Sequence, residues 1–67
     1  SLSDAGVAGL MARAAAHGAY YNVLINLSGI SDKGWTSKIR EKADLLLSKT
    51  NEKAAALEEL MLAKLRG

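Results

Sequence analysis

Only one short stretch of this chain is built to stop a helix: "SGISD", Ser28 to Asp32. None of the 67 residues is proline, so no other position forces the backbone to break. Gly29 can supply a left-handed stop, and Ser31 can cap whatever helix follows. Upstream, Ser3 and Asp4 read as a helix start, because serine accepts from a first-turn N–H and aspartate suits the positive end of the dipole. Gly6, Gly9 and Gly18 lie between and are tolerated. The expected fold is therefore all-α, a two-helix antiparallel hairpin over residues 1–67. The first helix runs from about 4 to 27, the joint from 28 to 31 and the second helix from about 32 to 66.

The rival for part of the first arm is a strand. "YYNVLINL", Tyr20 to Leu27, has strand-favouring residue types and places Tyr20, Asn22, Leu24 and Asn26 on one face. It has no partner, since no second segment reads as a strand, and helix is the better assignment. At about 1.5 Å per residue the arms would be about 36 and 52 Å long. Arms that unequal leave apolar stripe uncovered, so a hairpin of this kind reads as the C-terminal part of a larger helical bundle. Missing segments or a second copy of the chain would complete it.

The two arms differ in pattern. In the second, Ile39, Ala43, Leu46, Leu47, Ala54, Leu57, Met61 and Leu65 recur at helical spacing, with Lys and Glu at most other positions. Lys38, Arg40, Lys42, Lys49 and Lys53 read as its solvated face, and Trp35 as packing its start against the first helix. The first arm carries few charges. On a helical wheel Arg13, His17 and Tyr20 share one side, with Asp4, Ala8, Met11, Ala15, Gly18, Asn22 and Asn26 opposite. A helix this apolar normally sits inside a bundle of more than two, and the face carrying the asparagines is expected to be the buried one.

Composition removes several function classes. Cysteine is absent and histidine occurs once, at His17, which argues against disulfides and against a metal site within one chain. A formal charge of +2 is too small and scattered to argue for nucleic acid. The apolar run from Ala5 to Leu27 is long enough to span a bilayer, but Arg13, His17, Asn22 and Asn26 interrupt it, and a membrane span is not expected. No basic n-region marks a signal peptide, so a cytoplasmic protein is expected. The chain does not begin with Met, which suits a tag remnant, a processed chain or a fragment. No nucleophile–base pair, phosphate loop or metal spacing is present. Two asparagines one turn apart are the feature to explain. They are either buried amides bonded to a neighbouring helix, or donors and acceptors to a heteroaromatic ligand. Asp4 is a first-turn acid, or else a proton carrier or ligand contact.

"SDAGVAGLMARAAAHGAYYNVLINLSGISD", Ser3 to Asp32, resembles the C-terminal part of the formiminotransferase-cyclodeaminase family. That family includes formimidoyltetrahydrofolate cyclodeaminases and methenyltetrahydrofolate cyclohydrolases. The elements that carry the resemblance are Ser3-Asp4, the small-residue helix, Gly18-Ala19, "NVLINL" and the "I-x-D" of Ile30 to Asp32. From Lys33 onward only the amphipathic character is similar. The resemblance implies folate one-carbon chemistry, with a tetrahydrofolate derivative as substrate and no metal. In the cyclodeaminase reaction N10 closes on the formimino carbon and ammonia leaves, giving methenyltetrahydrofolate, a step that needs proton transfer and a held pterin. It further implies that the catalytic acid lies upstream of this segment, so the 67 residues alone are expected to be inactive. Asp4, Asn22 and Asn26 are the candidate substrate contacts. Two classes stay open: a fragment of a folate enzyme, and a non-catalytic hairpin that dimerises. A homodimer is expected in either case.

Overall fold

A computed structural model describes residues 2–67, with side chains described from Asp4 onward. Two helices, α1 (Leu2–Leu27) and α2 (Lys33–Arg66), form an antiparallel hairpin of 53 × 15 × 12 Å. The strand alternative for Tyr20 to Leu27 is not what forms. That segment completes α1, as its lack of any strand to pair with requires.

The joint is built differently from the expectation. Gly29 takes no left-handed conformation, and no described residue has positive φ outside or at glycine. The end of α1 is held instead by tight turns, with Ser28 N–H donating to Leu24 O at 3.2 Å, Gly29 N–H to Asn26 O and Ile30 N–H to Leu27 O. The Ser28 hydroxyl adds a bond to Ile25 O at 2.6 Å. The cap of α2 is Asp32, not Ser31: its carboxylate accepts from Trp35 N–H at 3.0 Å while its own backbone is extended. Both are good capping residues. Asp32 is the one whose anion also meets the positive end of the α2 dipole. At the other end Lys64 and Arg66 sit in the last turn of α2, where cations are favoured, and Gly67 N–H bonds Ala63 O. The proposed cap at Ser3 involves a side chain outside the described ones; α1 itself already runs from Leu2.

The free ends finish level in spite of the unequal arms. Gly6 packs on Met61, and an ideal Cβ at Gly6 would lie 1.7 Å from its Sδ. Gly9 packs on Leu57 in the same way, at 2.7 Å. The surplus length of α2 lies at the joint. Tyr20 stands opposite Asp44, so α2 starts about one turn, or roughly 6 Å, beyond the end of α1. Leu27 and Thr36 fill that corner and are the described residues most removed from water besides Gly6, at 4% and 3% exposure. Trp35, expected to pack there, is about half exposed.

Little else is buried. The hairpin exposes 5013 Å², against about 4,100 Å² for a compact protein of its mass. Its radius of gyration of 15.6 Å compares with roughly 11 Å for a compact domain. Val7, Leu10, Met11, Tyr21 and Ile25 of α1 and Leu45, Leu46, Leu60 and Leu65 of α2 are all more than half exposed. Leu46 and Leu65 thus leave the stripe that the sequence assigned to the seam.

Candidate functional site

One edge of the side of α1 that meets α2 is polar. Arg13 Nε donates to Asn51 Oδ1 at 3.2 Å, and His17 Nε2 lies 3.0 Å from the same oxygen. Guanidinium has no acceptor, so Asn51 must present its carbonyl oxygen to Arg13. His17 can then bond that oxygen only as a donor, which puts a proton on Nε2. One turn further along, the Tyr20 hydroxyl donates to the Asp44 carboxylate. That bond is the main reason the phenol titrates above the usual tyrosine range, with slight burial and the Asp44 charge adding in the same direction. Arg13 Nη1 also approaches Glu58 at 3.9 Å, a half-exposed pair of little energetic weight. Among the described residues no buried side-chain polar atom lacks a partner.

Asn22 and Asn26 lie on the opposite face and are exposed. The expectation that this face is the buried one is corrected: α1 turns it away from α2. The physical reason is that α1 is apolar almost all round, so hydrophobicity gives it no preferred side. Orientation then falls to specific contacts, namely the polar bonds to Asn51 and Asp44 and the close approach at Gly6 and Gly9. Asn51 and Asp44 were not singled out in the sequence. Asn51 could have been: it sits one turn after Leu47 on the apolar stripe of a helix otherwise edged by Lys and Glu.

Asp4 shares the outward face with Asn22, since eighteen residues are five whole turns of helix. The distance along the axis is then about 27 Å. The structure therefore joins Asn22 and Asn26 in one place and leaves Asp4 at the far end of α1. Between them the face carries Ala8, Met11, Ala15 and Gly18, a surface with little relief. His17, held in the seam by Asn51, belongs to neither. Among the described residues no three His, Asp or Glu side chains converge as a metal site, and no helix is long and apolar enough to cross a membrane.

A sequence model of the formiminotransferase-cyclodeaminase family matches residues 1–45. The chain belongs to that family. The match takes in all of α1, the joint and the beginning of α2, and with them both asparagines and Asp4. It stops short of Asn51, so the bonds of Arg13 and His17 join matched to unmatched sequence, whereas the Tyr20–Asp44 bond lies wholly within the match. No curated protein and no solved structure matches the chain. Membership gives the chain a folate-related family, and the all-helical hairpin is the form its sequence takes here.

Proposed function

We propose that this hairpin is the C-terminal segment of a folate one-carbon enzyme, a formimidoyltetrahydrofolate cyclodeaminase or a methenyltetrahydrofolate cyclohydrolase. In this reading the segment works as a homo-oligomer, and Asn22 and Asn26 form part of the wall that holds a tetrahydrofolate derivative. The observation that carries it is the position of the amide pair. It falls inside the family match, one turn apart, on a face that α2 does not cover. An amide donates and accepts side by side, which suits the alternating edge of a pterin. It cannot take up a proton at neutral pH, so the acid–base step of ring closure belongs to a group outside this pair. Asp4 lies about 27 Å along the helix from Asn22, so in one copy of the chain it would not touch the same part of a bound molecule. These residues would bind and orient, and the cytoplasm is the compartment that suits such chemistry.

Asn22→Ala and Asn26→Ala separate this from a structural role. Both side chains are exposed, so each variant should melt within about 0.5 kcal/mol of the parent. Titration calorimetry with tetrahydrofolate should show affinity falling about fivefold to tenfold for whichever amide makes the contact. Methenyltetrahydrofolate should not form above a buffer blank with the 67-residue chain alone.

A second reading, a dimerising hairpin with no chemistry, is favoured by one observation: the apolar area left uncovered on both helices. A chain that associates but takes up no tetrahydrofolate at millimolar concentration would decide for it.

A further inference from the structure

The two long edges of the interhelical seam are unlike. On the edge away from Asn51, α1 presents the row Gly9, Ala12, Ala16, Ala19 and Val23, and α2 the row Ala43, Leu46, Thr50, Lys53 and Leu57, with Tyr20, Leu47 and Ala54 lining the space between them as well. Both rows alternate steps of three and four residues, the spacing of a helix-packing seam with a shallow left-handed crossing. Between them lies a groove with two hollows of about 220 and 230 Å³, which share Thr50. Its α1 wall is low along most of its length, since four of the six α1 residues that line it are Gly or Ala, with Tyr20 and Val23 at the end nearer the joint. Its α2 wall stands proud, with Leu46 66% exposed and Leu60 continuing the row.

We propose that this groove is where two copies of the chain associate, α2 of each copy seated on the small-residue row of α1 of the other. The proposal rests on the homo-oligomeric part of the reading above and names its surface. A two-fold interface must be complementary to itself, which requires one patch to hold both a ridge and a hollow. The groove edge holds both, leucines on α2 and glycine and alanines on α1, and the dyad brings each to the other twice. Area points the same way. Two separate hairpins expose roughly 10,000 Å², whereas a compact protein of their joint mass exposes about 6,800 Å². The difference is about 3,000 Å², within the range of obligate homodimers. Charge does not oppose it. The α1 row carries none, so Lys53 of one copy faces no cation of the other and can run its stem along the interface with its ammonium in water.

Ala19 and Ala12 are exposed in the single hairpin, so Ala19→Glu leaves the intrachain seam in place and puts a carboxylate in the proposed interface. Leu46→Lys does the same from the α2 wall, and Ala14→Glu is the control on the other side of α1. Sedimentation equilibrium of the 67-residue chain should give a two-chain mass. Ala19→Glu and Leu46→Lys should each weaken association by about a hundredfold or more, and Ala14→Glu by less than about threefold. Loss of helical circular dichroism in the two groove variants but not in the control supports the groove equally, since an obligate dimer has no folded monomer. A dimer unaffected by both groove variants but broken by Ala14→Glu overturns the groove and leaves the homo-oligomer standing. A monomeric parent chain at micromolar concentration overturns both.

Discussion

Along one edge of the seam Arg13, His17 and Tyr20 of α1 reach across to Asn51 and Asp44 of α2. Along the other edge, alanines and a glycine face leucines. The polar edge is finished as it stands. Each bond there has geometric requirements, and together they fix which side of a nearly uniform helix faces α2. The apolar edge supplies attraction without direction, and it leaves surface over. The contrast teaches that selecting a face and stabilising it are separate tasks in this hairpin, carried by different residues.

If that division is right, the largest loss of stability should come from the apolar side. Leu57 packs against Gly9 and is half-buried. Leu57→Ala should cost about 2 kcal/mol, the low end of the buried-leucine range because part of the side chain already meets water. Asn51→Ala removes one acceptor shared by two donors, but Arg13 and His17 are near enough to solvent to be rehydrated. A cost of about 1 kcal/mol is expected. Chemical denaturation of both variants at one fixed chain concentration ranks them, and the reverse order would break the comparison. Asn51→Ala has a second consequence: α1 should lose its preferred orientation, seen as greater motion of the Tyr20 and Tyr21 rings by NMR.

Much of the fold is legible in the sequence, and the reason is local. Absence of proline, a single glycine-bearing joint and an evident apolar stripe in the second arm require nothing from tertiary context. Resemblance over Ser3 to Asp32 likewise placed the family, because it lies in a contiguous string. What could not be read was the rotation of α1. A helix with apolar residues on every side carries no periodic signal for its buried face, so the sequence puts the asparagine face inside, whereas that face is exposed and the side of Arg13 and His17 meets α2. The cap was missed by one residue for a smaller reason of the same kind, since Ser31 and Asp32 are both competent and only the bond to Trp35 N–H separates them.

Glycines sharpen the comparison at a smaller scale. Gly6 is buried against Met61, whereas nothing lies within 4 Å of a Cβ built on Gly18. Gly18→Ala should therefore stabilise α1 by about 0.5 to 1 kcal/mol through helix propensity alone. Gly6→Ala brings the same propensity but must displace the Met61 thioether, so its gain should be smaller or absent. Equal gains at the two sites would mean that α1 and α2 do not approach as closely as Gly6 and Met61 do here.

The smallest effect belongs to Tyr20, whose hydroxyl is in water even as it bonds Asp44. Folding raises the pKa of this phenol, with the Asp44 hydrogen bond as the first cause. A group whose folded pKa exceeds its unfolded value stabilises fully below the unfolded pKa, and that contribution disappears as pH rises through the folded one. For tyrosine the window opens near pH 10 and extends upward from there. Tyr20→Phe keeps the ring and removes both the bond and the titration. At about pH 8 the parent should melt slightly above the variant, and by about pH 11 the gap should close or invert as the phenolate meets the Asp44 carboxylate. Every other side chain is the same in both proteins, so the difference between the two melting curves isolates Tyr20. Parallel curves across that window would mean that the Tyr20–Asp44 bond does not persist in solution, leaving the Asn51 bonds and the close approach at Gly6 and Gly9 to orient α1.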